Sequence, residues 1–199
     1  MTFRLRAYSA AYMVLSATAW AFPSMAGDKQ AVYSLSPASE AYLGDVHPNL
    51  AMIVRRAIER TDADFTITEK QVRDLKYQAK LVARGTSKTL QSNHRPQNDG
   101  LSHAVDLVPY VDGRANWGHN VTWKIVTSSG ETIEPYYQIA AAVRAAAVEA
   151  GIRVRWGAVW DRTLNDLPAT PEGLKQEALA YRKRKPKALY DGPHYELVR

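Results

Sequence analysis

Cysteine is absent from the 199 residues. No disulfide can staple the chain and no thiolate can bind a metal, so any bound ion must rest on His, Asp or Glu. The same absence leaves the redox compartment undecided. Long apolar runs are also missing. The longest, Ala7–Phe22, falls short of the roughly 20 apolar residues that span a bilayer comfortably, and it is rich in Ala, Ser and Thr, which gain less than Leu or Ile from leaving water. No internal repeat, low-complexity tract or regular βαβ rhythm is evident. No nucleic-acid module is recognisable, so the formal charge of +6 points to an anionic lipid or an acidic cell-wall polymer, with no nucleic-acid partner. Apolar content of 46% and charged content of 23% are those of an ordinary globular protein. The length fits one domain, expected as a monomer.

Arg4 and Arg6 precede the Ala7–Phe22 stretch, and Ser24-Met25-Ala26 follows it with small residues suited to a signal peptidase. Three readings of residues 1–26 remain open: a cleaved signal peptide, a weak signal-anchor that holds residues 7–22 transiently at the inner membrane, or a buried amino-terminal helix. Either of the first two exports the remainder to the periplasm or cell wall. Residues 27–45, with Pro37 and Gly44, read as a linker, and residues 46–199 as the domain.

Within that domain, His47-Pro48 opens a helix with Leu50, Ile53, Val54, Ala57 and Ile58 on one stripe. Asp64–Thr68 alternates as a strand, and Val72, Leu75, Ala79 and Val82 recur at helical spacing before Gly85. Strands are expected at Ala104–Val108, Ile152–Trp156 and His194–Val198. A hairpin is expected over Asn120–Ile133 and an alanine-rich helix over Tyr136–Ala150. Residues 164–189 form an excursion with a short helix around Leu174–Tyr181. The fold class is α+β: a small, mostly antiparallel sheet flanked by helices, preceded by the amino-terminal apolar segment.

Chemistry gathers in three places: Ser92-Asn93-His94, His103-Ala104-Val105-Asp106, and Asp191-Gly192-Pro193-His194-Tyr195-Glu196. In a strand, alternate residues share a face. Asp106 therefore points with Ala104, and His194 with Glu196. If the two strands are neighbours, Asp106 and His194 converge, and His94 arrives from a loop. Two imidazoles and a carboxylate suit one zinc ion with an open fourth position, and Asp191 is a spare carboxylate beside it. Glu196 either orients a ligand imidazole from behind or forms a strand-edge salt bridge. The basic run Arg182–Lys185 with Lys187 reads as a solvated loop or a wall-attracting patch, and Trp117, Trp123 and Trp160 as core or groove.

The stretches Gly85–His94, Ala104–Gly113, Trp156-Gly157 and Asp191–Leu197 resemble, in order and spacing, the VanY-type zinc peptidases, a Hedgehog/DD-peptidase-like fold. That family includes D-alanyl-D-alanine carboxypeptidases and phage endolysins that cut L-alanyl-D-glutamate bonds, and the likeness is closest to the endolysins. The resemblance implies zinc on His94, Asp106 and His194, Asp191 as catalytic base, Arg73 near the substrate, and Gln78 and Ser87 at cleft positions. The implied substrate is the peptidoglycan stem peptide. The alternatives are a D-alanyl-D-alanine carboxypeptidase and a non-catalytic zinc-containing wall-binding domain. The chain departs from the pattern in three ways. An apparent insertion, Arg95–Leu101, lengthens the His94–Asp106 interval. Ser102 replaces a glycine. Trp156-Gly157-Ala158-Val159-Trp160 lacks the family's aspartate. The insertion leaves His103 as a rival first ligand.

Overall fold

The computed structural model describes residues 33–117 and 123–198. Residues 1–26, with the leader readings, and residues 120–122 of the expected hairpin lie outside them. In chain order the helices are α1 (Pro37–Leu43), α2 (Pro48–Arg60), α3 (Leu75–Ala83), α4 (Pro135–Glu149) and α5 (Pro171–Arg184). The strands are β1 (Phe65–Thr66), β2 (Ala104–Asp106), β3 (Val108–Val111), β4 (Arg114–Ala115), β5 (Ile125–Val126), β6 (Thr132–Ile133), β7 (Val154–Trp156) and β8 (His194–Leu197). They form three small antiparallel sheets ordered β1-β3-β4, β2-β8-β7 and β5-β6. The architecture is the α+β one expected. Among the described residues no helix is long and apolar enough to cross a membrane.

The core is made by α2, α4 and one face of the β2-β8-β7 sheet. The stripe Leu50, Ile53, Val54, Ala57 and Ile58 is buried to the last residue. Helix α4 meets it with Ile139, Ala140, Val143, Ala146 and Ala147. Alanines at such a crossing put only methyl groups between the axes. Pro48 at the first turn and the His47 ring, which accepts from the Asn49 amide at 3.2 Å, start α2. Gly151, at φ +66°, ends the α4 segment in the left-handed conformation that glycine takes without a Cβ penalty.

Three sequence expectations change before the excursion. The stretch taken as a linker contains α1, capped by Ser36. Ser39 is fully buried and its hydroxyl accepts from the Ile67 amide and meets Thr66 Oγ1, which ties α1 to β1. In α3 the apolar stripe faces outward, with Leu75 53% exposed, and the buried residue is Gln78. Hydrogen-bonding demand from a neighbouring loop, described below, outranks apolar area in setting that helix's rotation. The strands are shorter than the alternating patterns, because the chain passes from one sheet to another at Leu107 and a turn follows Val126.

The 164–189 excursion is a wall. Its helix runs 14 residues, longer than expected, and Leu164, Leu167, Leu174, Ala178 and Tyr181 join the main apolar cluster. Thr170 caps it through the Gly173 amide, Pro171 fills the first turn, and Lys175 reaches Glu134 at the start of α4. Leu174→Ala should lower stability by about 2–5 kcal/mol, read by urea denaturation. A lid hinged free of the core would show almost no loss.

Candidate active site

Strands β2 and β8 are antiparallel neighbours, with Asp106 opposite His194, Val105 opposite Tyr195 and Ala104 opposite Glu196. Directly opposed side chains share a face. Val105 and Tyr195, with Trp156 next to Tyr195 on β7, go into the core. Asp106, His194 and Glu196 go to the other side, where Arg155 stands opposite Glu196. The alternation read from the sequence is the alternation found.

His94 enters from the loop after α3, 1% exposed. Its Nε2 stands 3.2 Å from Asp106 Oδ1 and 3.2 Å from His194 Nδ1, and His194 Nδ1 stands 3.3 Å from the same Oδ1. The outer nitrogens have acceptors. His94 Nδ1 is 3.1 Å from the Gln71 carbonyl, and His194 Nε2 is 3.3 Å from Glu196 Oε2. Those partners draw the protons to the outer positions. Two imidazole lone pairs and a carboxylate oxygen then face one another with nothing to donate, an arrangement that only a cation stabilises. Ligands about 2.0–2.2 Å from a tetrahedral ion lie about 3.3–3.6 Å apart, so the triangle already has the dimensions of a metal face. A divalent ion would rest on His94 Nε2, Asp106 Oδ1 and His194 Nδ1, grouped together as a buried candidate metal set.

Without an ion, a proton is the alternative cation. Burial pulls the His194 imidazole down, but hydrogen bonds to Asp106 and Glu196 outweigh it and push the pKa up to about 10. Burial holds the His94 imidazole below its ordinary value despite Asp106. Burial opposes ionisation of Asp106, yet the two imidazoles hold its carboxyl well below the usual range. Glu196 is likewise kept down to about 2: burial works against this, and His194, Asn93 and Arg155 prevail. Asn93 Nδ2 donates to Glu196 Oε2 at 2.7 Å, and Arg155 pairs with Oε1 at 2.9 Å. Glu196 thus stands behind the His194 ring and in a salt bridge with Arg155 at once.

Asp191 stands beside the triad, partly buried on the cleft wall. Its carboxylate makes no hydrogen bond or ion pair with any described residue. Burial, then the Asp106 charge, push its pKa up to about 6 against the pull of His194 and Arg73. The turn that carries it is clasped by Trp156-Gly157. The Gly157 amide donates to the His194 carbonyl at 2.8 Å, the Asp191 amide donates to the Gly157 carbonyl at 3.0 Å, and Trp156 Nε1 donates to the Gly192 carbonyl at 2.8 Å. A Cβ at Gly157 would stand 2.3 Å from the Asp191 carbonyl oxygen and 3.0 Å from the Cβ of both Asp191 and His194. Gly192 is needed for a similar reason: a Cβ there would meet the Trp123 ring at 2.8 Å. Trp123 is a core residue, stacked on Tyr190 at 4.2 Å.

A cleft of about 420 Å³ opens over this floor. Thr86–Thr89 and Gln91–Asn93 form one side, and Trp160, Tyr181 and Lys187–Leu189 the other. Ser87 lines it as expected. Gln78 does not: it is fully buried, and its Nε2 donates to Ser87 Oγ and the Thr89 carbonyl at 2.9 and 2.8 Å, so it holds the wall from behind. Arg73 reaches the cleft, but its Nη2 is bound to Asp106 Oδ2 and close to Glu69, leaving less of the guanidinium for a ligand. Trp160 packs 5.1 Å from the His194 ring and Trp117 is largely exposed.

His103 turns away from the triad. It bonds Asp99 at 2.8 Å and, with His47, makes a second group whose potential ligand atoms lie within 4.8 Å of one another. That group differs in kind. His47 Nδ1 accepts from an amide, so the neutral ring keeps its proton on Nε2, and the His103 bond to Asp99 already pairs a donor with an acceptor. The cluster satisfies itself without an ion. The sequence reading missed Gln71, Asn93 and Arg155. For Arg155, strand alternation was a usable signal, since it shares a face with Glu196. Gln71 offered none.

Three comparisons bear on this arrangement. Residues 31–198 match the model of the phage L-alanyl-D-glutamate peptidase family. The chain belongs to this family. An L-alanyl-D-glutamate peptidase of Escherichia phage T5 is 28% identical over 160 residues, 80% of this chain and 94% of the relative. The crystal structure of the L-Ala D-Glu endopeptidase ChiX of Serratia marcescens matches with a TM-score of 0.55 and 31% identity, covering 84% of this chain and 92% of that one. This member of the family accommodates its Arg95–Leu101 segment as a self-bonded loop. Gln97 accepts from Gly100 and donates to Leu101 through backbone groups, and the loop leaves His94 and Asp106 in contact.

Because His194 holds a proton up to about 10, loading a divalent ion at neutral pH should expel about one proton. Apparent affinity should therefore rise up to tenfold per pH unit across the neutral range. Calorimetry in buffers of differing ionisation enthalpy measures the proton count directly. A count of zero would mean that the ring is already neutral.

Proposed function

We infer that this protein is a peptidoglycan hydrolase, an endopeptidase that cleaves the L-Ala–D-Glu bond of the stem peptide, and that it works as a zinc enzyme of the endolysin type. Family membership supports the bond. The observation that carries the chemistry is the triangle of converging lone pairs with an unpartnered carboxyl, Asp191, in the same cleft. Two nitrogens and one carboxylate oxygen at this spacing suit zinc, which would supply Lewis-acid polarisation and a lowered water pKa when bound.

The chain's own groups do the rest. Asp191, with a pKa raised toward neutrality and no competing partner among the described residues, takes a proton from the attacking water and returns it to the leaving amine. The Trp156-Gly157 clasp fixes where that carboxyl stands. Glu196, held ionised by Asn93 and Arg155, keeps the His194 Nε2 proton in place and so keeps Nδ1 turned inward. Arg73 neutralises the second oxygen of Asp106. Ser87 and the Lys187–Leu189 wall bound the channel in which the stem peptide lies.

Asp191→Asn should lower kcat by about 10²–10⁴ with metal content unchanged, measured on purified sacculi. Mass spectrometry of the wild-type digest should show new amino-terminal D-Glu and stems split after L-Ala. Release of terminal D-Ala alone would mark a carboxypeptidase instead, and full lysis by Asp191→Asn would mark a wall-binding domain. Because the base acts deprotonated, activity should fall as pH drops through a limb at or below about 6, the ion's charge drawing it lower.

The substrate lies outside the inner membrane, which supports export of the domain through residues 1–26, by cleavage or by a releasable anchor. Fractionation with amino-terminal sequencing tests this. A membrane-bound form that always begins after Ala26 excludes the anchor.

A further inference from the structure

Two members of the triad, His94 and Asp106, are gripped by one short segment, Glu69–Arg73, between β1 and α3. Gln71 is its centre. This side chain is fully buried. Its backbone carbonyl stands 3.1 Å from His94 Nδ1, its Oε1 accepts from the Asp106 amide at 2.9 Å, and its Nε2 donates to the Glu69 carbonyl at 2.6 Å. Two residues on, the Arg73 amide donates to the His94 carbonyl at 2.8 Å, and the Arg73 guanidinium binds Asp106 Oδ2. The same strap thus holds His94 by ring and backbone, and Asp106 by backbone and carboxylate.

The geometry fills a gap in the sheet. Strand β2 has β8 on one side only. On its open side the Asp106 amide would lack a partner, and a buried amide left unpaired is costly. The Gln71 amide group supplies the acceptor that a fourth strand would have supplied. The side chain's second hydrogen bond, to Glu69, fixes its orientation, and that places the residue's own carbonyl against His94.

We propose that Gln71 is the positioning residue of the metal centre: it sets the His94 tautomer, with the proton on Nδ1, and the height of Asp106 at once, so that Nε2 and Oδ1 are presented to the ion as a preformed pair. Gln71 touches neither ion nor substrate and acts through the two ligands. The inference rests on the divalent-ion reading of the triad.

Gln71→Met keeps length and removes both hydrogen bonds. Zinc affinity, from competition with a chromophoric chelator, should fall about 10–100-fold, while circular dichroism shows the ion-free variant still folded at the assay temperature, its melting temperature lowered by the unpaired Asp106 amide. Affinity within twofold of wild type overturns the proposal, as does an affinity loss that only follows loss of fold. Should the variant not fold, the wild type decides alone: long-range ¹H–¹⁵N spectra of the zinc-loaded protein should place the His94 proton on Nδ1, and a proton on Nε2 overturns the assignment. If wild-type protein binds no zinc, the zinc reading itself fails, which is a different result from wild-type binding that Gln71→Met leaves intact.

Discussion

Everything in the cleft depends on the pairing of β2 with β8. That ladder is three residues long on the β2 side, yet its register puts Asp106 directly across from His194. A slip of one residue in either strand would send its own inward residue, Asp106 or His194, to the core face and bring Val105 or Tyr195 out. The register is held by that core face, where Val105, Tyr195 and Trp156 are fully buried. The hydrophobic effect on one side of the sheet thereby fixes the electrostatics on the other. Because the two functions occupy alternate residues of the same strands, the site needs no long loops for two of its three inward donors.

Around those donors the protein arranges polar support in a consistent sense. Each imidazole has an acceptor behind it, and each acceptor is itself held: Glu196 by Asn93 and Arg155, the Gln71 carbonyl by a strap bonded at both ends. Asp191 is the exception, with no donor among the described residues. A carboxyl left unpaired in a partly buried place is a cost to folding, and its position beside the triad gives that cost a use. The contrast with His47, Asp99 and His103 is instructive, since a similar roster of residue types, paired donor to acceptor, makes a self-contained surface cluster.

Much of this was legible in the linear chain. The stripe on α2 and the facing of Asp106 and His194 follow from periodicity of 3.6 and 2, whereas the grouping of Ser92-x-His94 with the final turn came from the family resemblance. What was hidden had a common cause. The rotation of α3 is set by Gln78 reaching Ser87 and Thr89, not by its Leu and Val residues. Gln71 works through a main-chain amide 35 residues away. The stretch around Ser39 looks like a linker because a serine docks it. Hydrogen bonds from buried amides and hydroxyls to distant backbone leave no periodic trace. Their owners are residue types that composition assigns to the surface. In residues 164–189 the prolines leave a short helix around Leu174–Tyr181 as the legible element, and hide the 14-residue helix and the five positions that join the core.

The clasp of Trp156-Gly157 on the last turn has a consequence for how this centre can vary. Asp191 and His194 ride on one bracket, three residues apart, and the bracket has no room for even a methyl group at Gly157. Neither can drift without dragging the other. Redesign or natural divergence that seeks a longer acid at the Asp191 position must therefore re-seat the bracket as a whole, which explains on mechanical grounds why a tryptophan-glycine pair some 35 residues upstream should travel with the terminal motif.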